Sequence, residues 1–248
     1  MAQPTKIAGG YGAAAGPVFS RRGYLLFSDI ASGRILKWER GEITVFRAAS
    51  RGARANTFDH QGRLLTCESG RVTRTEKDGK ITVLAGGVKQ PEDLVYAIDG
   101  SVYFSDPPAG TVYQVTRKGE LRAAARDGEQ PAGVALAPNQ LRLFASDRAR
   151  RQIRVYEVAG DGSLGAGKLF ATCEDAPGGL KTDESGGVWV ACPGGIHRFD
   201  RDGKPLETVA VPEPANNCNW GEGFRDLYVT AATSVYKIGA AVNGTRTY

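Results

Sequence analysis

Beyond Met1 the 248-residue chain has no methionine, and nowhere do Leu, Ala and Glu recur with the period of an amphipathic helix. That absence excludes a helical bundle. No apolar run approaches the roughly 18 to 20 residues that a membrane-crossing helix needs, so no membrane partner is expected. With 41% hydrophobic and 24% charged residues, the composition is that of an ordinary folded domain and not of a disordered chain. Histidine is limited to His60 and His197. Both fall in or beside hairpin sequences with no Ser or Cys partner at comparable depth, which argues against a nucleophile triad. The four cysteines, Cys67, Cys173, Cys192 and Cys218, lack Cys-x-x-Cys spacing and suit neither a zinc site nor a dense disulfide framework. They read as buried thiols. The opening MAQPTKIAGG has neither the basic nor the apolar region of a signal peptide. As written the chain reads as cytoplasmic, and export would require a removed leader replaced by Met1.

Dense positive charge is also missing. Lys and Arg total 32 against 27 Asp and Glu, a net +5, but the basic residues stand singly or in pairs beside turn glycines. The one cluster, Arg148, Arg150 and Arg151, belongs to a single loop. Without a basic helix or interleaved stacking aromatics, no nucleic-acid partner is expected. The segment KIAGGYGAAAG imitates a dinucleotide fingerprint, yet Gly16-Pro17 and a new strand follow where a helix N-terminus would have to receive the phosphates.

What the chain does have is glycine, 33 of its 248 residues spread along its length, against a usual share of about 7%. Many tight turns are implied. One unit recurs six times, with a turn, an apolar strand and a small or acidic end: RRGYLLFSD, HQGRLLTCE, IDGSVYFSD, PNQLRLFASD, ESGGVWVAC and FRDLYVTAA. The ends, Asp29, Glu68, Asp106, Asp147, Cys192 and Ala231, are 39, 38, 41, 45 and 39 residues apart. A second strand and a glycine hairpin follow each, as in RVTRTEKDG and GIHRFDRDG, and then an outer strand such as ITVFRAA. Four short strands per unit cannot bury both faces of an isolated sheet but can when sheets stack radially. The reading is all-β: one six-bladed β-propeller over residues 1–248, four antiparallel strands per blade. The last blade holds three strands, so the N-terminal TKIAG is expected to supply its fourth and close the ring.

The first strand of each blade lines the axis of a propeller, and its beginning faces the mouth. The six beginnings read AAGPV, RANTF, PEDLV, PAGVA, PGGLK and NNCNW. One equivalent position from each gives an axial ring of Ala15, Arg54, Glu92, Ala132, Gly178 and Asn217, with the acidic strand ends as a second ring behind it.

The segments GPVFS, LLFSDIASGRILKW, GRLLTCESGRVTRTEKDG, GSVYFSDPPAGTVYQV, GGLKTDESGGVWVAC and NNCNWGEGFRDLYVTAATSVYKI resemble the gluconolactonase and senescence-marker-protein (regucalcin) family of six-bladed propellers over nearly the whole chain. The resemblance implies a calcium-dependent lactonase scaffold acting on a small organic ligand in the axial pocket. Enzymes of that family hold one divalent cation through a Glu before Gly-Pro, Asn residues at the middle blade starts and an Asp before Gly in the fifth blade. Here the matching residues are Ala15, Glu92, Ala132 and Gly178, with Arg54-Ala55 for the second-blade Asn-Gly and Ser69 for a histidine. Of Ala15, Glu92, Ala132 and Gly178 only Glu92 offers a side-chain oxygen, against the six to eight that a hard cation takes. No metal and no other cofactor is expected.

The candidate centre is therefore Arg54 and Glu92: Arg54 to bind a carboxylate or developing oxyanion, Glu92 as general base, Asn217 to orient the substrate. Asn56, two residues past Arg54, shares its parity and is assigned to the pocket. Trp220 and Phe19 are candidate pocket walls, and Asp147 is a further substrate-binding candidate. Asp93 is expected on the opposite side of its strand, as a turn or hydrogen-bonding residue. The function read from this is a lactone or ester hydrolase working without the family's metal. The alternatives are a non-catalytic ligand-binding propeller, in which Arg54 and Glu92 form a structural ion pair, and a metal-free condensing or lyase enzyme like strictosidine synthase. A monomer or weak oligomer is expected.

Overall fold

Period-two alternation broken by Gly-bearing turns yields 24 strands among residues 2–245, the part of the chain that the computed structural model describes. They form six four-stranded antiparallel sheets. Among the described residues the helical pieces are two three-residue 3-10 turns, Pro107–Ala109 and Glu222–Phe224. The inner strands are Ala14–Ser20, Asn56–Phe58, Leu94–Tyr96, Pro131–Leu136, Leu180–Thr182 and Ala215–Gly221. Each pairs with a second strand, Tyr24–Asp29, Leu64–Glu68, Val102–Asp106, Arg142–Asp147, Val188–Cys192 and Asp226–Ala231 respectively. These second strands are buried almost throughout, because each packs between neighbouring blades. The clusters so formed join consecutive blades, as where Phe144 meets Leu180 and Val190, or Trp189 meets Trp220.

Every inner strand carries an irregularity at its mouth end. In the third blade Glu92 donates its N–H to the Ser105 carbonyl and the Ser105 N–H bonds to the Asp93 carbonyl, so two residues oppose one. Arg54 and Ala55 share Cys67 in the same way, and Gly178 and Gly179 share Ala191. The register shifts at Ala15/Val18, Pro131/Val134 and Ala215/Asn217 are the corresponding feature of the other three blades. These are β-bulges, which re-aim side chains and interrupt strict alternation. Close approach of neighbouring backbones fixes Gly16, Gly133 and Gly178 as glycine. A methyl group on Gly16 would lie 2.2 Å from the Arg54 carbonyl oxygen, and one on Gly133 2.4 Å from that of Gly178.

The recurrent Ser-Asp at the end of second strands has two separate tasks. The serine bonds forward to the next blade: Ser28 accepts from Asn56, Ser105 donates to the Ala132 carbonyl, and Ser146 to the Gly178 carbonyl at 2.7 Å. The aspartate holds the chain segment entering its own blade. Asp29 accepts from the Ala13 N–H, Asp106 from those of Lys89 and Gln90, and Asp147 from those of Glu129, Gln130 and Arg150.

The ring closes as the sequence pattern expects, with Thr5–Gly9 pairing antiparallel to Ser234–Gly239 at the outer edge of the sixth blade. Glu213 pins this joint. Its carboxylate accepts from the Thr233 N–H and hydroxyl, from Ser234 and from the Tyr236 hydroxyl, and pairs with Lys6 at 3.2 Å. These donors hold the Glu213 carboxyl well below the usual carboxylate range, the Ser234 hydroxyl most of all. Glu213→Ala is expected to cost about 2 kcal/mol in urea unfolding, a typical loss for hydrogen bonds to a charged group. A depressed folded value means that this stability is present above the ordinary Glu value of about 4.3 and is lost as pH falls through the lower folded value. The gap between wild type and Glu213→Ala should therefore narrow on acidification. Deleting residues 1–10 should expose the edge of Ser234–Gly239 and promote aggregation, measurable by light scattering.

Candidate active site

The bulges bring charge to the mouth of the axis in three groups. Glu92 forms an ion pair with Arg148, which follows Asp147 at the end of a fourth-blade strand, and Arg148 reaches both Glu92 oxygens. Arg54 bonds the side-chain amide oxygen of Gln90 through Nη2 and through Nε at 2.9 Å. The carboxylates of Glu92, Asp93 and Asp106 add to the effect of burial in pushing the Cys67 thiol up, and Arg54 opposes them. Arg54 and Glu92 thus belong to one electrostatic neighbourhood, although each has its own partner.

Below them Asp93 crosses the axis. Its Oδ2 accepts from the Val134 N–H at 3.1 Å and lies 3.8 Å from Lys181 Nζ, and its Oδ1 accepts from Asn217 Nδ2 at 3.3 Å. One carboxylate from the third blade therefore meets the fourth, fifth and sixth. Burial raises the Asp93 carboxyl above its ordinary value, and the Lys181 ammonium is the largest of the effects that pull it back. The expectation that Asp93 turns away from the axis is corrected here: the Glu92/Asp93 bulge breaks the alternation on which it rested. Asn217 stands in the ring as expected, and its own Oδ1 accepts the Cys218 N–H.

Four other candidates stand elsewhere. Asn56 is buried between the first two blades, bonded to the Gly16 carbonyl, Ser28 and Thr66; the same bulge parity removes it from the mouth. Asp147 spends its oxygens on the backbone donors already described. Phe19 stacks on Tyr228 at 5.3 Å between the first and sixth blades. Trp220 lies at the far end of its strand, where its indole donates to the Thr182 carbonyl at 2.7 Å and lines an axial cavity, on the face opposite the mouth, with Lys181, Asn219 and Tyr96. The sequence reading missed Arg148, Gln90 and Lys181. Arg148 was visible as a member of the one arginine cluster, but nothing local to it or to Lys181 shows that the ring brings each against a third-blade carboxylate.

The donor set does not match a hard divalent cation. Ala15, Ala132 and Gly178 supply no side-chain oxygen, the Ala132 and Gly178 carbonyls accept from Ser105 and Ser146, Glu92 is engaged by Arg148, and Asp93 is bonded on both oxygens. Among the described residues no group of three or more His, Cys, Asp or Glu side chains is arranged to hold a metal.

The chain is a six-bladed propeller whose axial mouth gathers charged side chains from several blades. The chain belongs to the family described as SMP-30/Gluconolactonase/LRE-like region, which matches residues 13–233. It is 26% identical over 281 residues to a gluconolactonase of Zymomonas mobilis, covering 90% of this chain and 77% of that one. An L-arabinolactonase of Azospirillum brasilense is 32% identical over 111 residues, 41% of this chain and 37% of the relative. The solved structure of a gluconolactonase from Xanthomonas campestris superposes with a TM-score of 0.89 at 27% identity, covering 98% of this chain and 90% of that one.

Proposed function

We propose that the protein hydrolyses a lactone or related ester of a small organic molecule at the axial mouth, with a guanidinium group meeting the charge that develops on the ester oxygen. The observation that carries this reading is the grouping of Arg54, Arg148 and Glu92 around the ring above the Asp93, Lys181 and Asn217 floor. In this mechanism Arg54 leaves Gln90 and binds the ester carbonyl, where its two N–H groups meet the oxyanion that develops on attack. Glu92, oriented by Arg148, takes a proton from the attacking water. Asn217 supplies a fixed amide to the substrate at the bottom of the mouth.

The pairing of Glu92 with Arg148 favours one competing reading, a propeller that binds such molecules without turning them over, since a carboxylate engaged by a guanidinium is a poorer base. Proton release from a panel of aldonolactones and aryl esters, measured with a strong chelator present, separates the two. Turnover that persists in chelator supports the proposal. Turnover that appears only on adding a divalent cation overturns the guanidinium role, and saturable binding without hydrolysis favours the binding protein.

A further inference from the structure

The four cysteines are unbridged, and they are not equivalent. Cys67 and Cys218 are wholly buried, and burial pushes both thiols up, Cys218 to about 12. Such thiols are inert. Cys173, 7% exposed, instead lines a surface groove between the fourth and fifth blades together with Glu174, His197 and Arg198. Cys192, wholly buried, belongs to the same core cluster. The Cys192 thiol lowers the pKa of Cys173, whereas Cys173 and burial push the Cys192 thiol up.

The position of the pair in the repeat gives it a structural meaning. Cys192 ends its second strand where Asp29, Glu68, Asp106 and Asp147 end theirs. Three of those carboxylates tie down the segment entering their own blade through its backbone N–H groups. In the fifth blade a thiol stands where those acids stand, and Cys173, in the same core cluster, opens the segment that leads to Gly178 in the axial ring.

We infer that Cys173 and Cys192 are an oxidisable dithiol, a modification site at which a hydroperoxide forms an intrachain disulfide. The Cys173 thiolate attacks a peroxide oxygen, the O–O bond breaks, and an alcohol, or water from hydrogen peroxide, departs with a proton, leaving a sulfenic acid. The Cys192 sulfur then attacks the Cys173 sulfur; the S–S bond forms, the S–O bond breaks, and the hydroxyl leaves as water with the Cys192 proton. Two thiols are oxidised by two electrons and one peroxide is reduced.

The test is treatment of the folded full-length protein with hydrogen peroxide, denaturation in an alkylating reagent, and mass mapping. The expected result is loss of two of the four alkylatable thiols, a cross-linked Cys173–Cys192 peptide, its reversal by dithiothreitol, and intact Cys67 and Cys218. In Cys192→Ser the expected product is a sulfenic acid on Cys173 that dimedone captures. Four thiols still alkylatable in the wild type would overturn the inference. Oxidation spread equally over Cys67 and Cys218, or Cys173 driven to sulfonic acid without a cross-link, would overturn it too. The wild-type arm requires no variant to fold.

Discussion

Asp93→Ala is expected to destabilise the fold by about 3–5 kcal/mol, the usual consequence of leaving one partner of a buried ion pair uncompensated. Lys181 would lose the carboxylate 3.8 Å from its ammonium, in a site where the two side chains are 10% and 4% exposed. The Val134 N–H and the Asn217 amide would lose their acceptor as well. The raised value of the Asp93 carboxyl shows that its partners do not fully offset the cost of burying its charge. Replacing both members with apolar residues of similar volume, Asp93→Leu with Lys181→Met, should therefore cost much less than the sum of the single changes. Urea unfolding of the two single variants and the double variant measures this directly. Additive losses would show that the two residues do not act as a pair, and a change within about 0.5 kcal/mol in Asp93→Ala, the range of ordinary surface substitutions, would remove Asp93 from the architecture of the axis.

The blades were legible because their signals are local. A turn, an apolar strand and a small or acidic strand end recur at 38 to 45 residues, and each element is specified by residues next to one another in the chain. The closure by Thr5–Gly9 was legible for a related reason: a blade with three strands needs a fourth. The site was less so. Alternation predicts that neighbours such as Glu92 and Asp93 face opposite ways, but a bulge sets both against Ser105 and sends Asp93 across the axis. The same displacement carries Asn56 into the seam between blades. Nor does any local pattern pair Glu92 with Arg148, 56 residues away, because that contact exists only once the ring has closed. The strand-end acids show the opposite limit. Their spacing placed them in a second ring behind the axial one, with Asp147 a binding candidate, yet Asp29, Asp106 and Asp147 hold backbone N–H groups, and Glu68 holds Arg47, Arg71 and Thr73. Charge near a mouth is evidence for a site only where backbone donors have not already claimed it.

The charges at the mouth that remain available to a ligand are those of Arg54, Arg148 and Glu92, and their substitution distinguishes a site from a plug. If Glu92 is the general base, Glu92→Gln should lower kcat by about 10²–10⁴-fold, the usual contribution of a positioned base, with KM changed little. Arg54→Gln should lower kcat/KM by about 10²–10³-fold if its guanidinium meets the oxyanion, and Arg54→Lys should recover only part of this, because an ammonium cannot present the two-pronged fork. Arg148→Met leaves the base in place without the guanidinium that orients it, so kcat should fall with KM changed little. The Glu92 and Arg148 side chains are 22% and 36% exposed, so breaking their pair should change stability by no more than about 1 kcal/mol. A plug behaves the other way round: the melting temperature falls in each single variant, the double variant Glu92→Gln/Arg148→Met is less harmed than the sum, and ligand binding and turnover are untouched. Binding and turnover that survive both Glu92→Gln and Arg54→Gln would remove the reaction from this mouth and direct the search to the cavity at the far end of the axis, where Lys181, Asn219 and Trp220 meet.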